Sequence, residues 1–205
     1  MIIMNDNEKY SIKKYDSIAH DYDASFDGRF TAKFKTKVLD ICSVSDGDRV
    51  LDVGCGNGNL INGINSKAKI QAYGVDISPK MIEECRSRYA NVNFEISTGE
   101  ELNFEDSSFD FLTICCVLHH LNNPQNFFSE ANRVLRAGGF LVVGEPWFPF
   151  GVRHFVDWIV SPLIRAGDNK IFTHKRLKQL FLDYGFAVTE IHKKGFMQIV
   201  KGRKI

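Results

Sequence analysis

The 205-residue sequence contains no uninterrupted apolar run approaching the roughly 20 residues that a bilayer-spanning helix needs. Its first residues, "MIIMNDNEKYSIKKYD", lack a basic segment followed by a long apolar core, so no secretory signal is read there and a cytoplasmic protein is expected. No Pro/Gly/Ser-rich stretch marks a linker, and no internal repeat or low-complexity tract appears, which points to one domain spanning 1–205. There is also no excess of charge: 26 basic residues face 25 acidic ones, so nothing in the overall balance calls for nucleic acid or an anionic membrane. The basic C-terminal stretch "HKKGFMQIVKGRKI" reads as a solvated strand and tail. The five cysteines, at 42, 55, 85, 115 and 116, form neither a disulfide framework nor paired zinc knuckles, so no metal is expected.

What is present is a strong alternation of periods. "YSIKKYDSIAHDYDASF" and "RFTAKFKTKVLDIC" suggest two N-terminal helices, a helical lid over residues 8–45. Short Val/Ile/Leu/Phe runs then alternate with helical stretches. "RVLDV", "KIQAYGVDI", "VNFEIS", "FDFLTICCVLHHL" and "FLVVGEP" read as five strands. Helices are expected from "GNLINGI", from "SPKMIEECRSRYA" with Ser78 as N-cap and Pro79 in its first turn, and from "NPQNFFSEANRVLRAGG" ending at Gly138 and Gly139. Beyond residue 171, "THKRLKQLFLDYGF" should form a helix capped by Thr173, and "FAVTEIHK" and "FMQIVKGRK" a closing hairpin. Such alternation predicts an α/β fold, a doubly wound sheet with helices on both faces. Ligands of these sheets lie beyond the carboxyl ends of the strands, where strand order reverses.

"VLDVGCGNGNL", positions 50 to 60, places three glycines at alternate positions where a strand turns into a helix. A side chain there would obstruct either a ligand or the neighbouring helix. A dinucleotide site wants G-x-G-x-x-G with a pyrophosphate on the helix N-terminus. Here the spacing of Gly54, Gly56 and Gly58 is G-x-G-x-G, and Asp52, two residues earlier, would repel a pyrophosphate but favour a ligand with a cationic amino group.

This motif, followed by "YGVDIS", "LNFEDSSFDFLTICCVLHHL" and "EANRVLRAGGFLVV", resembles the class I S-adenosylmethionine-dependent methyltransferases over roughly residues 15 to 190, near the ubiquinone and menaquinone C-methyltransferase branch. The resemblance implies a Rossmann-like seven-stranded sheet with its last strand antiparallel, and S-adenosylmethionine as cofactor with S-adenosylhomocysteine as product. It also implies roles for individual residues. Gly54, Cys55 and Gly56 would meet the methionine part, with Asp52 near its amino group. Asp76 would accept from both ribose hydroxyls, and Ile77 and Met81 would flank the adenine. Relatives usually carry an aspartate after the third strand; here Thr98, Gly99 and Glu100 occupy that place. Cys115 would pass the ligand through backbone atoms, and Tyr15 would close over the methionine end.

A sulfonium methyl group is already activated, so the remaining tasks are to hold a nucleophile in line and, for some acceptors, to remove a proton. His119 and His120 are the candidate bases, with Glu145, His154 and His174 behind them. Cys115 and Cys116, adjacent in an expected strand, should point to opposite faces. An acceptor-side insert, 147–171, carries Trp147, Phe148, Phe150, Phe155 and Trp158, which would line a pocket for a small, partly apolar or aromatic acceptor; ordinary packing of a lid helix explains the same residues. Two alternatives keep the fold: an S-adenosylmethionine-binding accessory or regulatory protein without transfer, and a methyltransferase acting on protein or RNA.

Overall fold

The computed structural model describes residues 6–147 and 172–205. Seven strands form one sheet in the order β3-β2-β1-β4-β5-β7-β6: β1 Arg49–Val53, β2 Gln71–Asp76, β3 Asn93–Ile96, β4 Phe109–Cys115, β5 Leu135–Pro146, β6 Phe186–Lys194 and β7 Met197–Lys204. β1 pairs in parallel with both β2 and β4, β4 pairs in parallel with β5, and only β7 runs antiparallel to its neighbours. The chain leaves β1 toward β2 on one side and later returns to β4 on the other, so strand order reverses between β1 and β4.

Each strand divides its side chains between two cores, as the period of two requires. Leu51, Val53, Leu112, Ile114, Leu141, Val143 and Val200 face one side, with Phe127, Phe128 and Ala131 of α5 (Pro124–Val134) and Leu177, Leu180 and Phe181 of α6 (His174–Asp183). Val50, Phe111, Val142 and Ile199 face the other, against α2 (Phe26–Ile41), α3 (Asn59–Asn65) and α4 (Pro79–Arg88). α1 (Asp6–Ile18) and a short 3-10 turn, Tyr22–Ala24, precede them.

Local chemistry sets the helix boundaries. Ser78 accepts the Met81 N–H at the start of α4, and Thr173 accepts the Arg176 N–H at the start of α6. The α5 boundary differs from the sequence expectation. The helix stops at Val134, and "LRAGG" joins β5, because Leu135 pairs with Phe109 of β4 across a register shift. β4 likewise ends at Cys115, and "LHH" forms a separate 3-10 turn, Leu118–His120. Among the described residues no helix is long and apolar enough to cross a membrane.

Candidate functional site

Beyond the carboxyl ends of β1, β2 and β4 lies a cleft with about 820 Å³ of space that merges with open solvent. Its floor is the turn after β1. Gly54, Gly56 and Gly58 all take left-handed backbone angles, φ 67°, 54° and 78°. The reasons for them differ. A Cβ at Gly54 would sit 2.4 Å from Val117 Cγ2, whereas one at Gly56 would meet nothing closer than Lys35 Nζ at 4.0 Å. Gly54 therefore admits a neighbouring loop, and Gly56 leaves the cleft open.

Asp76 ends β2 and ties this floor together. Its Oδ2 accepts the Gly56 N–H at 2.8 Å and its Oδ1 accepts the Ser78 N–H at 2.9 Å. Burial nevertheless pushes its carboxyl above the ordinary range, these bonds and the Lys35 charge opposing the rise. Asp52 lies deeper, 2% exposed, and accepts the Thr113 hydroxyl at 2.6 Å. Burial pushes its carboxyl up to about 7.

The other predicted residues distribute as follows. Tyr15, Gly54, Gly56, Asp76, Ile77, Met81, Thr98, Gly99, Glu100, Cys115 and His120 all line the cleft. Asp52, Cys55 and His119 do not. Cys55 is buried with its sulfur in the core behind the loop, where a Cβ on Gly74 would meet it at 3.1 Å. His119 turns to Glu145, with Nδ1 2.6 Å from Oε2. Glu100 spends its carboxylate on the backbone N–H groups of Asn122 and Asn123, at 2.7 and 3.1 Å. Cys115 and Cys116 do not point to opposite sides: Cys116 lies past the end of β4 with φ 57°, and both residues line the cleft. Burial raises the Cys116 thiol, which disfavours a nucleophilic thiolate there. Trp147 and His174 meet edge to face at 6.4 Å and are not part of the lining. Phe148, Phe150, His154, Phe155 and Trp158 lie outside the described residues.

Several lining residues carry no local signal in the sequence. Glu8 and Ser11 come from the same face of α1 as the predicted Tyr15, at helical spacing. Lys35 reaches in from α2, donates to Asn57 Oδ1 at 3.3 Å and sits 5.1 Å above the Tyr22 ring. Asn57 and Asn59 both donate to Asp23 Oδ1, at 2.7 and 2.8 Å, joining the N-terminal turn to the glycine loop. The Tyr15 hydroxyl lies 3.1 Å from His120 Nε2. Among the described residues no group of three or more His, Cys, Asp or Glu side chains is placed to hold a metal ion.

A parallel sheet with its reversed seventh strand tucked between β5 and β6, and a glycine loop facing an acidic strand end at the switch point, defines a Rossmann-like nucleotide-binding class. Comparison narrows it. Residues 51–143 match the family model described as "Methyltransferase domain". Demethylmenaquinone methyltransferase of Tropheryma whipplei is 34% identical over 117 residues, covering 56% of this chain and 48% of the relative. The 27-O-demethylrifamycin SV methyltransferase of Amycolatopsis mediterranei is 32% identical over 121 residues, covering 56% and 44%. The chain thus spans about half the length of these curated relatives. Two solved structures share the fold: a chain from the complex of the Haloferax volcanii Trm112 methyltransferase activator with a methyltransferase (TM-score 0.76, 18% identity, 98% of each chain), and a SAM-dependent methyltransferase of Thermotoga maritima (TM-score 0.75, 21% identity, 95% and 100%). Residues 51–143 thus resemble a methyltransferase domain, within a fold that these solved methyltransferases share.

Proposed function

We propose that this chain transfers a methyl group from S-adenosylmethionine to a small-molecule acceptor. The observation that carries the reading is the placement of Asp76: a carboxyl at the end of β2, already accepting the Gly56 and Ser78 N–H groups, at the edge of a cleft that Gly56 keeps open. The cofactor would supply an electrophilic methyl on sulfur. The chain's own residues would hold it: Asp76 by the ribose hydroxyls, Ile77 and Met81 against the adenine, and Thr98, Gly99 and Glu100 at the adenine edge. Because the Glu100 carboxylate is engaged by backbone donors, Thr98 and the Asn122 amide are the better candidates for polar contact with the base.

Gly54, Gly56 and the backbone of Cys55 and Cys115 would border the methionine part. Lys35 would receive its carboxylate, and Asp52, buried behind the loop, would balance its amino group electrostatically. α1 acts in this reading as a lid, with Tyr15 closing on His120. His120, which lines the cleft, is the candidate base; His119 is assigned a supporting place beside it. The apolar or aromatic character of the acceptor rests on the 147–171 segment and on the two curated relatives, whose names specify a demethylmenaquinone and a demethylrifamycin acceptor. A single domain over 1–205 is part of the same proposal.

Two measurements test it. S-adenosylhomocysteine should raise the melting temperature while NADH should not. Labelled S-adenosylmethionine incubated with a metabolite extract should transfer label to a small-molecule fraction. Stabilisation without transfer to any fraction, protein and RNA included, would favour an accessory role; stabilisation by NADH alone would end the methyltransferase reading.

A further inference from the structure

Beneath the double-histidine turn is a buried acceptor that the cleft itself does not use. Glu145, near the end of β5, is 1% exposed. Its Oε1 accepts the backbone N–H groups of Val117 at 3.0 Å and Leu118 at 2.9 Å, and its Oε2 lies 2.6 Å from His119 Nδ1. The His119 and His120 rings stand 4.1 Å apart, and His120 Nε2 is 3.1 Å from the Tyr15 hydroxyl. We propose that Glu145 is a positioning residue: it holds the proton on His119 Nδ1 and clamps the Val117–His120 turn, so that His120 faces the acceptor end of the cleft.

An ionised carboxylate can only accept, and two backbone N–H groups already occupy Oε1. At 2.6 Å the contact between Oε2 and His119 Nδ1 needs a proton between them, and the carboxylate has none to offer. His119 therefore carries hydrogen on Nδ1, and its neutral form keeps the lone pair on Nε2. The same Oε1 bonds satisfy N–H groups at the start of the 3-10 turn and place Val117 against Gly54. One side chain thus fixes a tautomer, a turn and one wall of the glycine loop. The functional weight of this arrangement rests on the proposed part of His120 in proton removal.

Glu145→Gln separates the roles without changing size. A glutamine has one acceptor oxygen and one NH2 group. If the oxygen stays on the backbone N–H groups, the NH2 faces His119 Nδ1, which must then accept, and the proton moves to Nε2. The measurement is the imidazole ¹⁵N spectrum of the full chain with S-adenosylhomocysteine bound, above neutral pH, with His119 identified by its loss in His119→Gln. The wild-type chain is expected to show Nδ1 protonated and Nε2 unprotonated, and Glu145→Gln the reverse, with S-adenosylhomocysteine affinity unchanged within about twofold. An unprotonated Nδ1 in the wild type overturns the proposal whether or not the variant folds, and so does an unaltered tautomer in a folded variant. Methyl transfer tests the underlying reading separately: a fall in kcat of roughly tenfold or more, with KM for S-adenosylmethionine unchanged, supports His120 as base. Full transfer with an inverted tautomer leaves Glu145 in its positioning role and removes the histidine pair from the chemistry.

Discussion

Two regions of this molecule engage carboxyl groups, one near the surface and one buried, and they treat them in opposite ways. Near the amino-terminal ends of β4 and β5, Arg133 of α5 finds an acceptor for every donor. It bonds both oxygens of Glu130 at 2.7 and 2.8 Å, Asp106 at 2.8 Å, and the carbonyls of Phe104 and Leu102 at 2.7 Å each. The bond to Arg133 pulls the Glu130 carboxyl below its ordinary range. At the carboxyl-terminal end, Asp52 and Asp76 have backbone and hydroxyl donors, and burial still pushes both upward, with Lys35 offsetting only part of that rise. The first cluster is complete within the chain. In the proposed reading the second is completed by the cofactor's amino group and ribose hydroxyls, and its buried carboxyls are the cost in stability of such a site.

The contrast is sharpest in its pH dependence. Asp52 is raised from 3.8 to about 7, so between those values the unfolded chain carries the charge and the folded chain does not. The folded state then binds more protons, and stability falls as pH rises through the window. The full effect is up to about 4 kcal/mol, present above pH 7 and absent below the unfolded value. Asp52→Asn retains an acceptor for Thr113 and removes the titration. The ligand-free wild type should therefore lose stability relative to Asp52→Asn from about pH 4 upward and level off above 7, as read from urea unfolding across pH. A constant difference would show that Asp52 ionises normally. Saturating S-adenosylhomocysteine should shrink the gap if its amino group balances that charge.

At the other pole, Arg133→Met should take the guanidinium donor from two carbonyls and from the carboxylates of Glu130 and Asp106, at a cost of about 3 kcal/mol. A fall in melting temperature of roughly 5–10 °C is expected, with S-adenosylhomocysteine affinity unchanged. A loss of affinity at constant stability would erase the distinction between the two regions. Asp76→Ala should do the reverse, weakening S-adenosylmethionine by about 1–3 kcal/mol in calorimetry through lost bonds to a charged acceptor. An unaltered dissociation constant would remove Asp76 from the site.

Much of the scaffold was legible because it depends on local rules. Buried strands read as apolar runs, Ser78 with Pro79 and Thr173 mark helix starts, and β6 and β7 form the expected hairpin. Errors arose where distant pairing overrides local preference. "LRAGG" is extended because β4 supplies a partner for Leu135, and Cys116 leaves the strand's alternation through a left-handed angle that no residue type there announces. The site divides in the same way. Gly54, Gly56 and Asp76 belong to contiguous motifs, whereas Lys35 and Asn122 enter the cleft from elements separated from the loop by 21 and 66 residues, counting from Gly56. His119 and His120 looked equivalent as neighbours in sequence. A single 3-10 turn sends one to buried Glu145 and the other into the cleft.

The smallest expected effect concerns the boundary between scaffold and site, α1. Its docking does not depend on Tyr15 alone: Asp16 Oδ1 accepts the Ser78 hydroxyl at 2.6 Å and the Lys80 N–H at 3.2 Å, and Lys14 pairs with Asp27 at 2.6 Å. Tyr15→Phe keeps the ring against Tyr22 and His120 and deletes the hydroxyl contact at 3.1 Å, worth about 1 kcal/mol at most. If α1 is only packed on the sheet, that loss appears as a slightly lower melting temperature with or without ligand. If α1 closes over a bound cofactor, the hydroxyl matters chiefly in the closed state. S-adenosylhomocysteine should then leave about threefold faster from Tyr15→Phe in stopped-flow displacement, with its association rate and the ligand-free melting temperature nearly unchanged. Equal dissociation rates would place Tyr15 with Arg133, among the residues that hold the molecule together and take no part in holding its ligand.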